Sequence, residues 1–443
     1  MNKKLVHAAS FFLLAATLVS CSAGNDTAGW GADSAKTVSV GTARNSTDLM
    51  PEDGTTADIT ENMTPYEKEI YNAHLRSVLF EGSDEMKSAI ADVVNRARKG
   101  EKVSLVTFGD SITFGAGADT GKGWSDIVYY WFESLDGDPD NGNVKFTNAG
   151  IGSTELVYGV SRVSRDVLSA EPDLVIVDFG TNDVGLPHAV EAYEGILSKL
   201  ISRGIPVIDS CVCPRSGANI QEKQRPVNVT YGVPQLSFKS AFFEHAEDSE
   251  FEELRADSMW SADNVHPTNN GHRLYAEMVI DYLEKYIIVP EIRGKKLSGI
   301  LPAKVTENTY ADAEMTDAVG SSEYVSVVSG KWTDDYNAKL LQITSRGWQT
   351  SETGSRITFV VSASNFHIMV TCSKKTAYAN IYVDGKRTQQ YLYGYSESKW
   401  MTVVDIYHGL DAGEHVVEIE MFDSEKTESD WFGICAVGFS SLN

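Results

Sequence analysis

The chain has 443 residues, 42% hydrophobic and 23% charged, and its formal net charge is -24 because 62 Asp and Glu outnumber 38 Lys and Arg. This composition excludes a wholly disordered chain, a collagen-like repeat and a polytopic membrane protein. The negative charge disfavours binding to phosphate backbones, so we expect no nucleic-acid partner. The length predicts more than one folded domain.

The amino terminus has the pattern of a secretory signal. Two lysines precede an apolar run from Leu5 to Val19, which is short for a membrane span. The run ends in Leu18-Val19-Ser20-Cys21, which resembles the lipobox of bacterial lipoproteins. This resemblance implies lipidation of Cys21 and a place on the extracellular face of a bacterial cell membrane, with the lipid anchor as the only membrane contact. An ordinary secretory signal with a chance cysteine is the alternative.

Composition then divides the chain into segments. Residues 22 to about 60 are rich in Ser, Thr, Gly, Ala and Asp, which is typical of a flexible tether, and Pro and Gly breaks near 290–320 indicate a boundary. The predicted segments are a signal peptide (1–20), a tether (21–60), an α/β domain (61–290), a linker (291–320) and a β-sandwich domain (321–443).

Short β-rich runs alternate with helix-period segments in the α/β domain. The predicted strands are Val103–Phe108, Val144–Thr147, Leu174–Phe179 and Ile205–Asp209. The predicted helices are Ser83–Lys99, Trp124–Leu135, Ser161–Ser169, Ala189–Ser202 and Asn269–Tyr286. Nearly continuous apolar strands are typical of a parallel sheet buried on both faces. The pattern predicts a three-layer α/β/α fold, in which ligands bind beyond the carboxyl ends of the strands.

The pattern changes after residue 300 to short strands separated by turn residues. These predicted strands are Ser355–Val361, Phe366–Thr371, Ala379–Val383, Trp400–Ile406, His415–Met421 and Phe432–Phe439. Asp384-Gly385 follows one of them and predicts a β-hairpin. The region is therefore predicted to be a jelly-roll-like β-sandwich.

Five cysteines are too few for a disulfide scaffold. The Cys211-Val212-Cys213 pair has no partnering His or Cys cluster, so we interpret it as buried thiols rather than a zinc site. A disulfide between Cys372 and Cys435 is left open. We expect neither a metal nor an organic cofactor.

Three polar motifs lie where the chemistry of such a fold is expected. Gly109-Asp110-Ser111 follows the first strand, where a serine can be exposed as a nucleophile. Asn182 follows the third strand and can direct its amide toward the same crevice. Asp263 and His266 precede the last helix, at a spacing that lets the carboxylate accept a hydrogen bond from the imidazole. A helix N-cap, an Asx-turn and a structural histidine are the alternatives for each motif alone.

Together these motifs resemble the SGNH (GDSL-like) hydrolase family over roughly residues 100–288. The resemblance implies Ser111 as nucleophile, His266 as general base and Asp263 as the group that orients the imidazole. It also implies an oxyanion hole formed by the Ser111 amide, a glycine amide and the Asn182 side chain. The family usually has this glycine five positions after Asn148, where the chain has Ser153, so Gly152 is preferred narrowly over Ser153 as the donor.

The segments around the motifs, KGEKVSLVTFGDSIT, NAGIGST and EPDLVIVDFGTND, resemble a branch of carbohydrate acetylesterases with an appended β-sandwich. This resemblance implies removal of O-acetyl groups from an acetylated polysaccharide or oligosaccharide. The enzymatic alternative is a lysophospholipase or lipase, and the other alternative is a non-catalytic, glycan-binding surface lipoprotein. Aromatic residues of the sandwich either stack on sugars or fill its core, and they are Trp332, Trp348, Tyr391, Tyr393, Tyr395, Trp400 and Trp431.

Overall fold

The computed structural model describes residues 60, 62–138, 140–319, 322–336, 346–372, 377–391, 400–411, 413–422 and 432–440. The predicted signal peptide, Cys21 and nearly all of the tether lie outside this range, as do Tyr393, Tyr395 and Trp431. The side chains of Cys372, Tyr391 and Trp400 are also outside it, so the Cys372–Cys435 disulfide stays open. No helix of the described residues combines the length and apolar character needed to span a membrane.

The first region is built on one sheet with strand order β1-β6-β5-β4-β2-β3. Its strands are β1 (Val78–Phe80), β2 (Val103–Gly109), β3 (Val144–Gly150), β4 (Leu174–Asp178), β5 (Val207–Cys211) and β6 (Gln235–Ser237). Strands β2 to β6 run parallel, and the short edge strand β1 is antiparallel to β6. Every residue of β2, β4 and β5 is buried, as the apolar sequence runs predict.

Helices cover this sheet and connect its strands. They are α1 (Pro65–Ser77), α2 (Asp84–Arg98), α3 (Ser111–Phe114), α4 (Trp124–Ser134), α5 (Leu156–Asp166), α6 (Ala189–Ile201), α7 (Gln221–Tyr231), α8 (Phe238–Phe242), α9 (Ala256–Met259) and α10 (Asn269–Tyr282). The predicted helix Ser161–Ser169 is shifted, because α5 begins five residues earlier and ends at Asp166.

The second region packs two antiparallel sheets face to face. Their strands are β7 (Glu314–Asp317), β8 (Val325–Ser329), β9 (Thr333–Tyr336), β10 (Gly347–Thr350), β11 (Arg356–Ser362), β12 (Asn365–Cys372), β13 (Tyr378–Val383), β14 (Lys386–Tyr391), β15 (Trp400–Tyr407), β16 (Glu414–Phe422) and β17 (Phe432–Ser440). The strand orders are β15-β12-β17-β10-β9, with β7 also paired to β17, and β14-β13-β16-β11-β8. Along β11, alternate residues point into the core between the sheets.

The predicted hairpin is confirmed between β13 and β14. Val383 pairs with Lys386, which leaves a two-residue loop of Asp384 and Gly385. Both loop residues have a positive φ, 52° and 74°, as the turn type of a two-residue hairpin requires. The fold class predicted from the sequence, an α/β/α domain followed by a β-sandwich, is confirmed.

The two regions are in direct contact. Ile151 and Tyr158 of the first region pack against Met369 and Ala436 of the second. Across the same contact, Ser161 Oγ lies 3.0 Å from His367 Nε2. Ile151 directly follows β3, so the sandwich supports the loop in which Gly152 and Ser153 lie.

Candidate active site

A sharp turn at the carboxyl end of β2 exposes Ser111. Gly109 ends the strand, and a Cβ at this position would lie 2.1 Å from Thr113 Oγ1 and 2.3 Å from the Asp178 carbonyl oxygen, so only glycine fits. Asp110 caps α3 by accepting a hydrogen bond from the Ile112 amide at 2.9 Å. Ser111 is therefore the first residue of α3, with its hydroxyl beyond the strand end.

The structure brings His266 and Asp263 to this serine. Ser111 Oγ lies 2.9 Å from His266 Nε2, and His266 Nδ1 lies 2.6 Å from Asp263 Oδ2. Burial raises the pKa of Asp263, but hydrogen bonds from His266, Val265 and Ser261 outweigh it and lower the pKa to about 2. An ionised Asp263 can only accept, so Nδ1 carries the imidazole proton and Nε2 is left to accept one from the serine hydroxyl.

The predicted oxyanion donors lie around Ser111. A Cβ on Gly152 would lie 3.8 Å from Ser111 Cβ, which places this glycine against the serine. No hydrogen bond within the described residues has the amide of Ser111, Gly152 or Ser153 as its donor, so these amides are available to a ligand. Asn182 Nδ2 lies 3.0 Å from the Thr154 carbonyl oxygen and 3.2 Å from Asp110 Oδ2, and it would exchange one of these acceptors for an oxyanion.

Ser153 differs from the family's usual glycine in residue type but not in backbone conformation. Ser153 has a φ of 60°, a left-handed conformation that favours glycine. The family's usual residue at this position and the backbone found here therefore agree, and the chain accommodates a serine in a conformation suited to glycine.

Arg162 is a residue that the sequence motifs do not include. Its guanidinium is fully buried and donates to the carbonyl oxygens of Gly109 and Ala149, both at 2.7 Å. It also pairs with Asp166 at 3.1 Å and lies over the Phe108 ring. Arg162 thus ties together the ends of β2 and β3, the two strands that carry Ser111 and Gly152. A fully buried arginine in a helix carries no local sequence signal.

Three buried carboxyl groups lie around the nucleophile turn. Asp178 Oδ2 accepts from Thr113 Oγ1 at 2.8 Å, and Asp183 Oδ1 accepts from the Leu156 amide at 2.8 Å, where it caps α5. Burial raises the pKa of Asp178 and of Asp183 to about 7. Burial and the neighbouring Asp178 charge also raise the pKa of Asp110. Asp183 is therefore structural, in keeping with the usual role of an aspartate in such a turn.

The second histidine of the last helix has a packing role. His272 is buried; its Nδ1 accepts from the Trp124 amide at 3.2 Å, and its Nε2 lies 3.0 Å from the Ala116 carbonyl oxygen. Burial lowers its pKa to about 4, which keeps the ring neutral. It anchors the segment after α3.

Comparisons with known proteins identify a matching family and similar two-domain structures. Residues 107–274 match the model of the GDSL-like lipase/acylhydrolase family. A solved two-domain esterase (CEX) active on acetylated mannans, crystallised with mannopentaose, is 25% identical, with a TM-score of 0.72 over 84% of this chain and 98% of that chain. A second structure of a two-domain esterase active on acetylated mannans is 24% identical, with a TM-score of 0.71 and coverage of 84% and 99%. No curated protein sequence matches the chain.

The two structural matches extend over both regions of the chain. The resemblance to GDSL-like hydrolases is confirmed, and the chain carries a carboxylic ester hydrolase domain. Ser111, Asp263 and His266 all lie within the matched range.

Proposed function

We propose that the protein is a serine esterase that removes O-acetyl groups from a polysaccharide or oligosaccharide, with an acetylated mannan as substrate. The observation that carries the proposal is the continuous hydrogen-bonded chain from Ser111 Oγ through His266 to Asp263. In this mechanism Ser111 is the nucleophile, His266 the general base and Asp263 the orienting carboxylate.

In the acylation step, Ser111 Oγ attacks the acetyl carbonyl carbon and its proton passes to His266 Nε2. The ionised Asp263 stabilises the imidazolium that forms. The negative carbonyl oxygen is held by the amides of Ser111 and Gly152 and by the Asn182 side chain. His266 then gives its proton to the departing sugar oxygen, which leaves as a hydroxyl group and leaves Ser111 acetylated.

Deacylation repeats this sequence with water as the nucleophile and Ser111 as the leaving group. A water molecule gives a proton to His266 Nε2 as its oxygen attacks the acetyl carbon, and the same oxyanion donors hold the second intermediate. When this intermediate collapses, Ser111 regains its proton from His266 and acetate leaves. The residues of this chain provide every proton transfer in the cycle.

The substrate class is supported by the two-domain match. The similar esterase acts on acetylated mannans, and 98% of its length aligns with this chain, including the sandwich region. A neutral polymer also suits a chain of net charge -24, which repels anionic substrates. Trp332 is buried in the sandwich core and is therefore not a sugar platform, whereas Trp348 is partly buried and its indole N–H donates to the Ala318 carbonyl oxygen at 2.7 Å.

We further propose that Cys21 is lipidated and holds the enzyme on the outer face of a bacterial membrane. The support is the Leu18-Val19-Ser20-Cys21 motif after a basic and apolar leader. Mass spectrometry of the membrane-extracted protein tests this proposal, since a Cys21→Ser variant should lose the lipid mass and appear in the soluble fraction.

The esterase proposal is tested by acetate release from acetylated mannan, acetylated xylan and an aryl acetate. Ser111→Ala should abolish release from all three, whereas Ser169→Ala, at an exposed serine of the same domain, should leave it unchanged. Release from acetylated mannan is expected. Cleavage of the aryl acetate alone would keep the serine esterase and contradict the polysaccharide substrate, and no cleavage of any would contradict the enzyme.

A fluorophosphonate probe separates the esterase from a non-catalytic scaffold. The probe should label the wild-type chain at Ser111, and the labelled peptide should be absent in Ser111→Ala. Labelling that persists in this variant would place the nucleophile elsewhere.

A further inference from the structure

A second cluster of polar side chains lies where the two regions of the chain meet. His188 and Glu191 stand at the start of α6, and His408 directly follows β15. His188 Nδ1 lies 3.6 Å and His408 Nε2 lies 3.3 Å from the same oxygen, Glu191 Oε2. One nitrogen from each ring and this oxygen all lie within 4.8 Å of one another. None of these residues belongs to the esterase site.

The Glu191 carboxylate divides its two oxygens between different partners. Oε1 accepts from the Thr309 amide at 2.9 Å and from Thr309 Oγ1 at 2.8 Å, which fixes the orientation of the carboxylate. Oε2 is thereby turned toward the two imidazoles. One ion pair needs only one histidine beside the carboxylate. Here two histidines from different regions of the chain lie near the same oxygen.

We propose that His188, Glu191 and His408 bind one divalent transition metal ion of the zinc type, which links the two regions of the chain. Two imidazoles and a carboxylate are a donor set that Zn²⁺ takes, with ligand bonds of about 2.0–2.2 Å. In a tetrahedron with such bonds, two ligand atoms are about 3.3–3.6 Å apart. The separations of 3.3 and 3.6 Å found here are close to that edge length.

The conformations of the histidines are consistent with a ligand role. His188 has a φ of 60°, a left-handed conformation that is unusual for a side-chain-bearing residue and that costs free energy. Its ring stacks on that of His408 with centroids 3.6 Å apart.

A neighbouring group fixes the second imidazole in the way metal ligands usually require. His408 Nδ1 lies 3.2 Å from the hydroxyl of the buried Tyr310. If Nδ1–H donates to this oxygen, Nε2 is free to bind the ion. His188 and Glu191 also line an open cleft of about 450 Å³, through which an ion can enter.

The donor set favours zinc-type ions over calcium and magnesium. Ca²⁺ and Mg²⁺ prefer all-oxygen sites, whereas imidazole nitrogens suit Zn²⁺ and its neighbours in the transition series. The ion would join the start of α6 to the end of β15, so its binding free energy would be added to the stability of the contact between the two regions. The site departs from the sequence expectation of no metal, because His188 and His408 are 220 positions apart and form no local motif.

The test is titration of the chelator-treated full mature chain with Zn²⁺ alone and, separately, with Ca²⁺ alone, by calorimetry. We expect one Zn²⁺ per chain and no saturable Ca²⁺ binding. His188→Ala and His408→Ala should each weaken Zn²⁺ binding at least about tenfold. The matched control is His415→Ala, since His415 is also beside a carboxylate in the second region, 3.0 Å from Asp384, and should bind Zn²⁺ like the wild type.

Two further measurements guard against a folding defect in the variants. Zn²⁺ should raise the unfolding temperature of the wild type and of His415→Ala, but not that of the two ligand variants. Co²⁺ should give a visible absorption spectrum of nitrogen and oxygen coordination in the wild type, and both ligand variants should lose it while keeping their far-ultraviolet circular dichroism. Absence of saturable 1:1 Zn²⁺ binding by the wild type, or equal affinity in the ligand variants, would overturn the proposal.

Discussion

Asp263 uses its two carboxylate oxygens for different purposes. Oδ2 contacts His266 Nδ1, whereas Oδ1 accepts from the amides of Val265 and His266 and from the Ser261 hydroxyl. An asparagine can replace the second set of contacts, but it cannot accept at Nδ1 without turning its oxygen away from them. Asp263 therefore both stabilises the local loop and determines which tautomer the His266 imidazole adopts.

We predict that Asp263→Asn lowers kcat by about 10²–10⁴-fold, because the imidazole loses the tautomer in which Nε2 accepts the serine proton. The free energy of unfolding should change far less, since the Oδ1 contacts can persist. Steady-state hydrolysis of an aryl acetate and a denaturant titration check both parts. A variant with the wild-type rate would mean that another group orients His266.

Ser153 offers a test of whether its side chain takes part in the reaction. Because its φ of 60° favours glycine, Ser153→Gly should retain activity and keep or raise stability by up to about 1 kcal/mol. The relevant donors are backbone amides, which the substitution leaves in place. A loss of kcat of more than tenfold in Ser153→Gly, with unchanged stability, would show that the serine side chain itself takes part in the reaction.

Arg162 positions the catalytic strands without touching the substrate. Arg162→Lys should lower stability by about 3–5 kcal/mol and reduce kcat more than it changes KM, since one ammonium cannot reach Gly109, Ala149 and Asp166 together. The control is Arg165→Lys, at a half-exposed residue beside the same Asp166, which should cost less than about 1 kcal/mol. Equal effects of the two substitutions would refute the positioning role.

At the scale of elements, the segment between the two regions is held in part by a buried carboxylate. Glu194 on α6 accepts from the amides of Val305 and Thr306, both at 2.7 Å, and from the Thr306 and Tyr231 hydroxyls. The segment predicted as linker is therefore docked on the first region over these residues. The last residues of that predicted segment, Glu314–Asp317, already form β7 of the sandwich.

We predict that Glu194→Ala loosens this segment, because four hydrogen-bond donors lose their acceptor. The cost should be about 2–5 kcal/mol, and limited proteolysis should cut near residues 300–310 faster than in the wild type. Glu307→Ala, on the same segment and exposed, is the control. Unchanged cleavage of Glu194→Ala would mean that the other contacts of the segment, such as those of Thr309 with Glu191, are enough to hold it.

Elements that can be predicted from the sequence carry the signal in their own residues. The other elements depend on contacts with residues that are distant in the chain. Strands β2, β4 and β5 are continuous apolar runs, so local composition is enough to predict them. Strand β6 is only Gln235-Leu236-Ser237, and Gln235 is buried because its amide donates to Asp209 at 3.2 Å. Helix α5 begins at Leu156 rather than Ser161 because Asp183, 27 residues away, supplies its cap.

The same distinction holds for the sites. The triad residues lie in short motifs, each with a recognisable spacing, so the amino-acid sequence alone is enough to select them. Arg162 and the cluster of His188, Glu191 and His408 are defined only by contacts between distant segments. Residues of this kind acquire their role from the fold, and a single sequence carries no periodicity or spacing that reveals it.

At the scale of the whole molecule, the contact between the two regions contains buried acid groups as well as apolar ones. Glu155, Asp183 and Asp405 line a small cavity of about 80 Å³ at this contact. Burial, followed by the charges of Asp183 and Asp405, raises the pKa of Glu155 to about 8. The carboxyl group is therefore largely protonated at neutral pH in the folded chain, whereas it is ionised in the unfolded chain.

This shift predicts how stability depends on pH. Between about pH 4.5, the ordinary pKa of a glutamate, and pH 8, the folded state binds more protons at Glu155 than the unfolded state does, so the free energy of unfolding falls as the pH rises through this window. Glu155→Gln cannot ionise and should show a shallower fall between pH 5.5 and pH 8.5, with a gain over the wild type at the upper end.

Denaturant titrations at several pH values measure this, with Glu101→Gln, at an exposed residue, as the control. This pH window lies above the acid range. In the acid range, protonation of Asp263, whose pKa is about 2, would change the free energy of unfolding in the opposite direction. Identical slopes for wild type and Glu155→Gln would mean that water entering the cavity keeps the carboxyl group solvated and that the contact between the two regions does not respond to pH through Glu155.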